Sequence, residues 1–266
     1  MIALLSPAKS LDFETPLPTR KATSPRLLDR AEELVAVMRT KSPEEVADLM
    51  HLSPELADLN VRRYRDFTTP VTRRNGRPAV LAFAGDVYRG MAVRDRFDER
   101  DYTEAQKTVR ILSGLYGLLR PLDLVQPYRL EMGTRLRTGR GATLYDYWGQ
   151  TIGECVAADL AGSPGADAVV DLASEEYSRA ARLDDLDARV VTPRFLDADP
   201  GGRHRVVSFF AKRARGEMAA WLVLHRVRGV RALRDFDGAG YRYDPDHSAP
   251  DRPAFTRPHR AAAGAT

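Results

Sequence analysis

Cysteine and histidine are scarce in this sequence, which excludes several kinds of site. Cys155 is the single cysteine among the 266 residues, so the chain cannot form an internal disulfide or a zinc site with several thiolates. The five histidines are dispersed, and no two of them stand at the spacing of metal ligands. We therefore expect no metal site, and in particular no site that sequesters iron tightly.

Long apolar runs are absent as well. No segment approaches the roughly 18 consecutive apolar residues that a membrane span needs. The N-terminus, MIALLSPAKSLDFE, has too short an apolar run for a signal peptide and no basic residues before it. We expect a cytoplasmic protein that has no membrane partner.

Common catalytic motifs are missing too. The sequence contains no GxSxG, Walker, GxGxxG or HExxH motif. These motifs mark many hydrolases, NTPases, dinucleotide-binding proteins and zinc proteases, so those classes are not indicated. We predict no cofactor.

Basic residues are abundant in one region. The chain as a whole has a formal net charge of +4 and is 29% charged, which is ordinary for a soluble globular protein. Between residues 203 and 234, however, nine Lys or Arg residues stand against one acid, Glu217. An excess of this kind suits a polyanionic partner, although charge runs are more often solvated faces.

Apolar runs alternate with helical patterns along the chain. Strands are predicted at 2–5, 78–84, 168–172, 189–195 and 205–210. Helices are predicted at 26–39 and after the caps Ser42 and Ser53, together with a short helix capped by Thr103 and a loop or short helical lid at 144–148. This order favours an α/β or α+β fold, a single domain over residues 1–257 with a mixed sheet flanked by helices. A disordered tail is expected at 258–266.

The stretch 110–136, RILSGLYGLLRPLDLVQPYRLEMGTRL, has an apolar first half with two glycines and a second half that is rich in charged side chains. A buried backbone that delivers charged groups to one place is how a site is usually built. Its segment 111–121 fits two structures. One is a buried strand with glycines at close backbone approaches, and the other is a helix-hairpin-helix that grips a phosphate through backbone N–H groups.

Basic side chains follow several of the predicted strands, so a sheet edge could bring them together. With the aromatic Tyr128 they form the candidate phosphate-binding set: Lys9, Arg120, Tyr128, Arg129, Lys212, Arg213 and Arg215. Carboxylates are interleaved with them, and the candidates for acid–base chemistry are Asp86, Glu131 and Glu175. The carboxylates could equally be structural anchors for the neighbouring cations.

Six blocks of the sequence, taken in order, resemble the YaaA family of bacterial peroxide-stress proteins. They are SPAKSLDF (6–13), AFAGDVYRG (82–90), ILSGLYGLLRPLDLVQPYRLEMGTRL (111–136), LYDYWG (144–149), DLASEEY (171–177) and VSFFAKRARGEMA (207–219). The resemblance implies a cytoplasmic, single-domain α/β protein with a basic cleft and a helix-hairpin-helix element. It also implies DNA binding that limits iron-driven oxidative damage to DNA. It carries no catalytic residues over to this chain.

Two functions follow as hypotheses. The first is a DNA-binding protein of the peroxide response that contacts the phosphate backbone in a basic cleft. The alternative is an enzyme that acts on a nucleobase, nucleoside or nucleotide, like a glycosidase or a transferase, with Glu131 or Glu175 as acid or base. A third possibility is an interaction or scaffold protein that neither binds DNA nor catalyses a reaction.

Overall fold

Strand β1 lies at the centre of the main sheet of the computed structural model, which describes residues 1–258. The strands are β1 (Ile2–Leu5), β2 (Arg77–Pro78), β3 (Val109–Ser113), β4 (Gly117–Leu119), β5 (Leu124–Val125), β6 (Ala168–Asp171), β7 (Arg189–Val191), β8 (Arg194–Ala198), β9 (His204–Arg205), β10 (Arg242–Ala249) and β11 (Arg252–Arg257). The helices are α1 (Leu28–Arg39), α2 (Pro43–Met50), α3 (Pro54–Asp66), α4 (Ala79–Ala82), α5 (Asp86–Met91), α6 (Val93–Arg96), α7 (Glu99–Thr108), α8 (Leu144–Trp148), α9 (Thr151–Ala161), α10 (Glu175–Ala181) and α11 (Ser208–Leu224). Short 3₁₀ turns occur at Leu183–Asp185, Val230–Asp235 and Gly238–Gly240.

The main sheet has the order β4-β3-β1-β6-β7. Strand β1 pairs in parallel with β3 and β6, and only β4 runs antiparallel to its neighbour. All four residues of β1 are buried, as expected of a parallel strand that is covered on both faces. The carboxyl ends of β1 and β6 therefore open onto the same edge of the sheet, and the loops that follow them meet there.

A second sheet has the order β10-β11-β8-β9, and β11 pairs in parallel with β8. Phe195, Phe236 and Phe255 pack their rings together beneath it, with centroid separations between 5.5 and 6.1 Å. Strands β2 and β5 form a small third sheet. The structure is thus a mixed α/β single domain, as predicted.

The central stretch contains a buried β-hairpin, so the helix-hairpin-helix interpretation of 111–121 is wrong. Strand β3 pairs antiparallel with β4, and both strands are entirely buried. Strand β3 also pairs with β1, so the backbone groups of this segment form hydrogen bonds with neighbouring strands and not within a helix. Gly114 allows a close approach, because a Cβ there would lie 2.3 Å from the Leu130 carbonyl oxygen. Gly117 turns the chain with a φ of +68°, a value that favours glycine.

Two predicted strands are wrong, because a short apolar run does not by itself distinguish a strand from a helix. Residues 79–82 form helix α4, whose first two N–H groups donate to the carbonyls of Asp123 and Pro121. In the run 205–210, only Arg205 belongs to a strand, and helix α11 begins at Ser208. The run 189–195 was predicted as one strand, but it contains all of β7 and the first residues of β8.

The predicted helix caps had mixed outcomes. Ser42 forms the predicted capping box with Glu45, and Ser53 caps α3. Helix α7 starts earlier than predicted, because Asp98 and not Thr103 is its N-cap. The segment 144–148 is a helix, but its Trp148 is buried and donates to the Gly114 carbonyl oxygen at 3.0 Å, which fixes it in the core. The tail expected at 258–266 lies outside the described residues except for Pro258.

Helices α5 and α11 cross at two glycines. A Cβ on Gly216 would lie 1.7 Å from the Val87 carbonyl oxygen, and one on Gly90 would lie 2.1 Å from the Arg213 carbonyl oxygen. The two backbones are therefore in direct contact. This contact sets the position of the first turns of α11 relative to the start of α5.

Candidate functional site

A cleft of about 420 Å³ opens where the loops after β1 and β6 meet. The loop after β1 contributes one wall, and the segment 128–131 a second wall. The starts of α5 and α10 and the first turns of α11 complete the lining. The side chains that matter for its chemistry are Ser6, Lys9, Asp86, Tyr88, Tyr128, Arg129, Glu131, Ser174, Glu176, Tyr177, Lys212 and Arg215.

Glu131 holds two cations in one wall of the cleft. Its Oε2 lies 2.8 Å from the Lys9 ammonium, and its Oε1 lies 2.9 Å from an Arg129 guanidinium nitrogen. Burial alone would raise the pKa of Glu131, but the hydrogen bonds from Lys9 and Arg129 outweigh burial and lower it below its ordinary value. The carboxylate is therefore ionised near neutral pH. The Lys9 side chain remains 64% exposed, so its ammonium can also meet a ligand.

Arg215 is the innermost cation of the α11 wall. Burial lowers the pKa of this half-buried guanidinium, and the charge of Asp171 opposes that effect. Burial raises the pKa of Asp171, against the hydrogen bonds that Ser178 and Ala173 donate to it and against the charge of Arg215. Among residues 1–258, the Arg215 side chain has no ion pair or hydrogen bond. Its N–H donors are thus available to an anion in the cleft.

Three tyrosines and two serines complete the lining of the cleft. Tyr88 donates to the Ser6 carbonyl oxygen at 2.9 Å, and the hydroxyls of Tyr128 and Ser113 lie 2.6 Å apart. Burial raises the pKa of both tyrosines well above the ordinary value, so they stay neutral. The Ser6 hydroxyl accepts from the Ser174 backbone N–H at 2.8 Å. This last bond ties the loops after β1 and β6 to each other at the edge of the sheet.

Most of the sequence-predicted site residues meet in this cleft. The residues brought together are Lys9, Asp86, Tyr128, Arg129, Glu131, Lys212 and Arg215. Arg120 lies elsewhere and binds the fully buried Asp123, with 2.9 Å between Arg120 Nη2 and Asp123 Oδ1. Arg213 does not line the cleft, and its guanidinium lies 4.8 Å from the centroid of the Phe209 ring.

Glu176, and not the predicted Glu175, reaches the cleft. Its Oε1 accepts from the Gly133 backbone N–H at 2.8 Å. Sequence reasoning also missed Ser6, Ser174 and Tyr177. Their positions in the sequence could have indicated them, because Ser6 follows β1 and the other two follow β6, and both strands end at the same edge of the sheet.

The lining of the cleft is mixed in charge. Four basic side chains, Lys9, Arg129, Lys212 and Arg215, stand against three acidic ones, Asp86, Glu131 and Glu176. The base excess of 203–234 is also partly neutralised from outside that segment. Arg226 lies 2.7 Å from an oxygen of Asp101, and Arg203 lies 3.2 Å from one of Asp199. Six cations of the segment have no ion pair in the described residues: Arg205, Lys212, Arg213, Arg215, Arg231 and Arg234. Three of these six lie in the first turns of α11.

Comparison with known proteins gives a family. Residues 1–247 match the family described as Peroxide stress protein YaaA. The chain belongs to the YaaA family. A UPF0246 protein of Aromatoleum aromaticum is 51% identical to it over 260 residues, which cover 97% of this chain and 99% of the relative. A UPF0246 protein of Cellvibrio japonicus is 48% identical over 257 residues, covering 97% and 98%.

Membership in the YaaA family supports a role in the peroxide stress response and confirms the resemblance found in the sequence. The match includes every residue of the cleft. Within the described residues, no three His, Cys, Asp or Glu side chains are grouped as a metal site requires. Over the same residues, no helix is both long enough and apolar enough to cross a membrane.

Proposed function

We propose that this YaaA-family protein acts in the cytoplasm as a DNA-binding protein of the peroxide response, limiting iron-driven damage to DNA. The observation that carries the proposal is the pair Lys212 and Arg215, which lie one turn apart on α11 and both face the cleft. Neither has an ion pair among residues 1–258. Unpaired cations on a rigid helix are suited to phosphate oxygens.

Phosphate contacts extend from the cleft to its rim. Arg213 lies between Lys212 and Arg215 in sequence and is exposed. Lys9 belongs to another part of the lining, the loop after β1, and has most of its side chain in solvent. A backbone that crosses the cleft would thus meet cations from two sides. The acidic groups in the lining limit how closely it can approach and favour contacts through the rim.

Binding to a duplex DNA of about 20 base pairs tests the proposal. The variant Lys212→Ala, Arg213→Ala, Arg215→Ala removes three cations, and at moderate salt we expect at least about a tenfold loss of affinity. The matched control is Arg62→Ala, Arg74→Ala, Arg137→Ala, which removes three exposed arginines outside the cleft lining. The control should bind within about twofold of wild type. Equal affinity of the first variant and wild type would show that the assigned surface is wrong.

A second candidate function is supported by the Lys9–Glu131–Arg129 network. A purely phosphate-binding cleft does not need a carboxylate between two of its cations. Because Glu131 is ionised, it could accept a hydrogen bond from a base or a ribose hydroxyl, or act as a general base. It is not suited to act as a general acid near neutral pH. The activity would be that of an enzyme on a nucleobase, nucleoside or nucleotide.

Turnover assays separate this candidate from DNA binding. Wild type and Glu131→Gln are incubated with nucleosides, nucleotides and oligonucleotides that contain damaged bases, and products are resolved by chromatography. The enzyme hypothesis predicts a product with wild type and a strong loss with Glu131→Gln. No turnover in the screen, or equal turnover by both proteins, counts against it.

A further inference from the structure

Large exposed apolar side chains are rare on this protein, and two of them stand together. Among residues 1–258 they are Leu56, Val206 and Phe209, with exposures of 41%, 56% and 44%. Val206 and Phe209 are three positions apart, at the junction of β9 and α11. This junction lies within the most basic part of the sequence and directly before the α11 residues that line the cleft. An exposed aromatic ring in that place is unlike the scattered apolar residues of an ordinary surface.

The Phe209 ring is held between two neighbours. The Arg213 guanidinium lies 4.8 Å from its centroid, and the Phe210 ring meets it edge-on at 5.5 Å. Phe210 is itself anchored by the guanidinium of the buried Arg257 at 4.5 Å. Phe209 is therefore oriented by its surroundings while nearly half of its surface remains in solvent.

Unpaired cations stand near this ring in the sequence. Arg205, Lys212 and Arg213 have no ion pairs in the part of the chain that the structure describes. A nucleobase that stacks on an aromatic or guanidinium plane brings its own phosphates close to such cations. The combination of a fixed aromatic ring, a guanidinium on that ring and neighbouring free cations suits a nucleotide whose base is not paired.

We propose that the site formed by Val206, Phe209 and Arg213 binds an unpaired nucleobase by stacking, so that the protein prefers DNA with an unpaired nucleotide over a fully paired duplex. This inference rests on the proposed DNA binding and goes beyond it, because phosphate contacts alone do not distinguish the two DNAs. In a paired duplex the bases are already stacked on each other, and Phe209 can reach only their edges.

The charges around the patch argue against a protein occupant. Two apolar side chains provide far less area than the roughly 800 Å² that each partner of a stable interface contributes. The cations that surround them would repel the same surface on a second copy of this chain. A polyanion with a flat apolar group is the complementary ligand.

The test compares two DNAs of equal phosphate number. One is a fully paired duplex, and the other carries one unpaired adenine in a bulge. The affinity of each is measured by fluorescence anisotropy at a fixed salt concentration. We expect wild type to bind the bulged DNA about tenfold more tightly. Phe209→Leu keeps an apolar side chain but removes the ring, and it should abolish the preference while leaving the affinity for the paired duplex within about twofold.

Two further variants complete the design. Phe209→Tyr retains a ring and should restore the preference, and Leu56→Ala removes an exposed apolar side chain elsewhere and should leave it intact. Equal binding of both DNAs by wild type overturns the inference even if duplex binding is strong. Retention of the preference by Phe209→Leu overturns it too, as does concentration-dependent self-association that Phe209→Leu removes. Loss of all DNA binding by wild type would instead contradict the proposed function.

Discussion

Asp12 is the residue that fixes the loop which carries Lys9. Its backbone N–H donates to the Ala82 carbonyl oxygen at 2.8 Å. Its carboxylate accepts from the N–H groups of Glu14 and Thr15 at 3.0 and 2.9 Å and lies 2.9 Å from the guanidinium of Arg94. Burial opposes ionisation, but the hydrogen bonds and Arg94 outweigh it and lower the pKa of Asp12 from 3.8 to about 2.

We predict that Asp12→Asn destabilises the protein at neutral pH by about 1 kcal/mol. The lowered pKa alone corresponds to roughly 2 kcal/mol, and solvent access to the side chain reduces that value. Because the folded-state pKa lies below the unfolded one, the contribution is complete above about pH 4 and disappears as the pH falls toward 2. Urea unfolding of both proteins between pH 7 and pH 3 measures it. A difference that stays constant over this range would contradict the ionic explanation.

At the residue scale, sequence reasoning found the cations of the site better than its acids. Lys9 could be predicted because it follows β1, where sheets place ligand-binding side chains. Arg129 was predicted from the charge-rich half of the stretch 110–136. Lys212 and Arg215 were predicted from a strand at 205–210, but they lie in helix α11, so their place in the cleft depends on how that helix docks. Of the adjacent acids Glu175 and Glu176, however, only the second reaches the cleft. Neighbouring residues at a helix start point about 100° apart, and their direction depends on how the helix docks.

Arg120 could not be assigned from its sequence position for a related reason. Its partner Asp123 is fully buried three residues away and also accepts from the Arg120 backbone N–H at 2.8 Å. The pair therefore closes a turn in the central stretch. Spacing alone cannot show whether an arginine binds a neighbouring carboxylate or a ligand, because both arrangements use the same side chains.

The crossing of α5 and α11 is the element that determines the position of the α11 cations. We predict that Gly216→Ala destabilises the protein by at least about 2 kcal/mol, since the added methyl group overlaps the Val87 carbonyl oxygen and the helices must separate. Gly229→Ala is the control, because a Cβ there meets nothing within 4 Å. Urea unfolding reports both changes. A Gly216→Ala protein as stable as wild type would show that the two helices can separate at little cost.

Element types were predictable where a cap or a central strand marked them. The N-caps Ser42 and Ser53 correctly predicted the starts of α2 and α3, and the runs at 2–5 and 168–172 correspond to β1 and β6. The run at 78–84 was mistaken for a strand because buried helices and buried strands are equally apolar over four to six residues. The run at 205–210 is apolar but largely exposed, and it contains the start of α11. The close contact at Gly216 leaves no signal in a single sequence, because the neighbour that requires glycine is more than 100 residues away in the chain.

At the scale of the whole molecule, the net charge does not distinguish cations that have an internal ion-pair partner from cations that have none. Arg228, like Arg226, lies against α7. Its guanidinium forms an ion pair with Glu104 at 2.6 Å, although the two groups are not aligned for a hydrogen bond. Lys212 has no such partner in the described residues. Both belong to the base-rich segment of the sequence, yet only the unpaired cation can replace counterions on DNA without breaking an internal ion pair.

The salt dependence of DNA binding should therefore separate these two classes of cation. Each phosphate contact contributes about −0.9 to the slope of log K against log salt concentration. We predict that Lys212→Ala makes the slope less negative by about 0.9, and that Arg228→Ala leaves it unchanged although both variants lose one positive charge. Titrations between 50 and about 200 mM salt measure the slopes, and circular dichroism confirms that Arg228→Ala is folded. Equal changes in both slopes would mean that the protein attracts DNA through its net charge, without a defined contact at the first turns of α11.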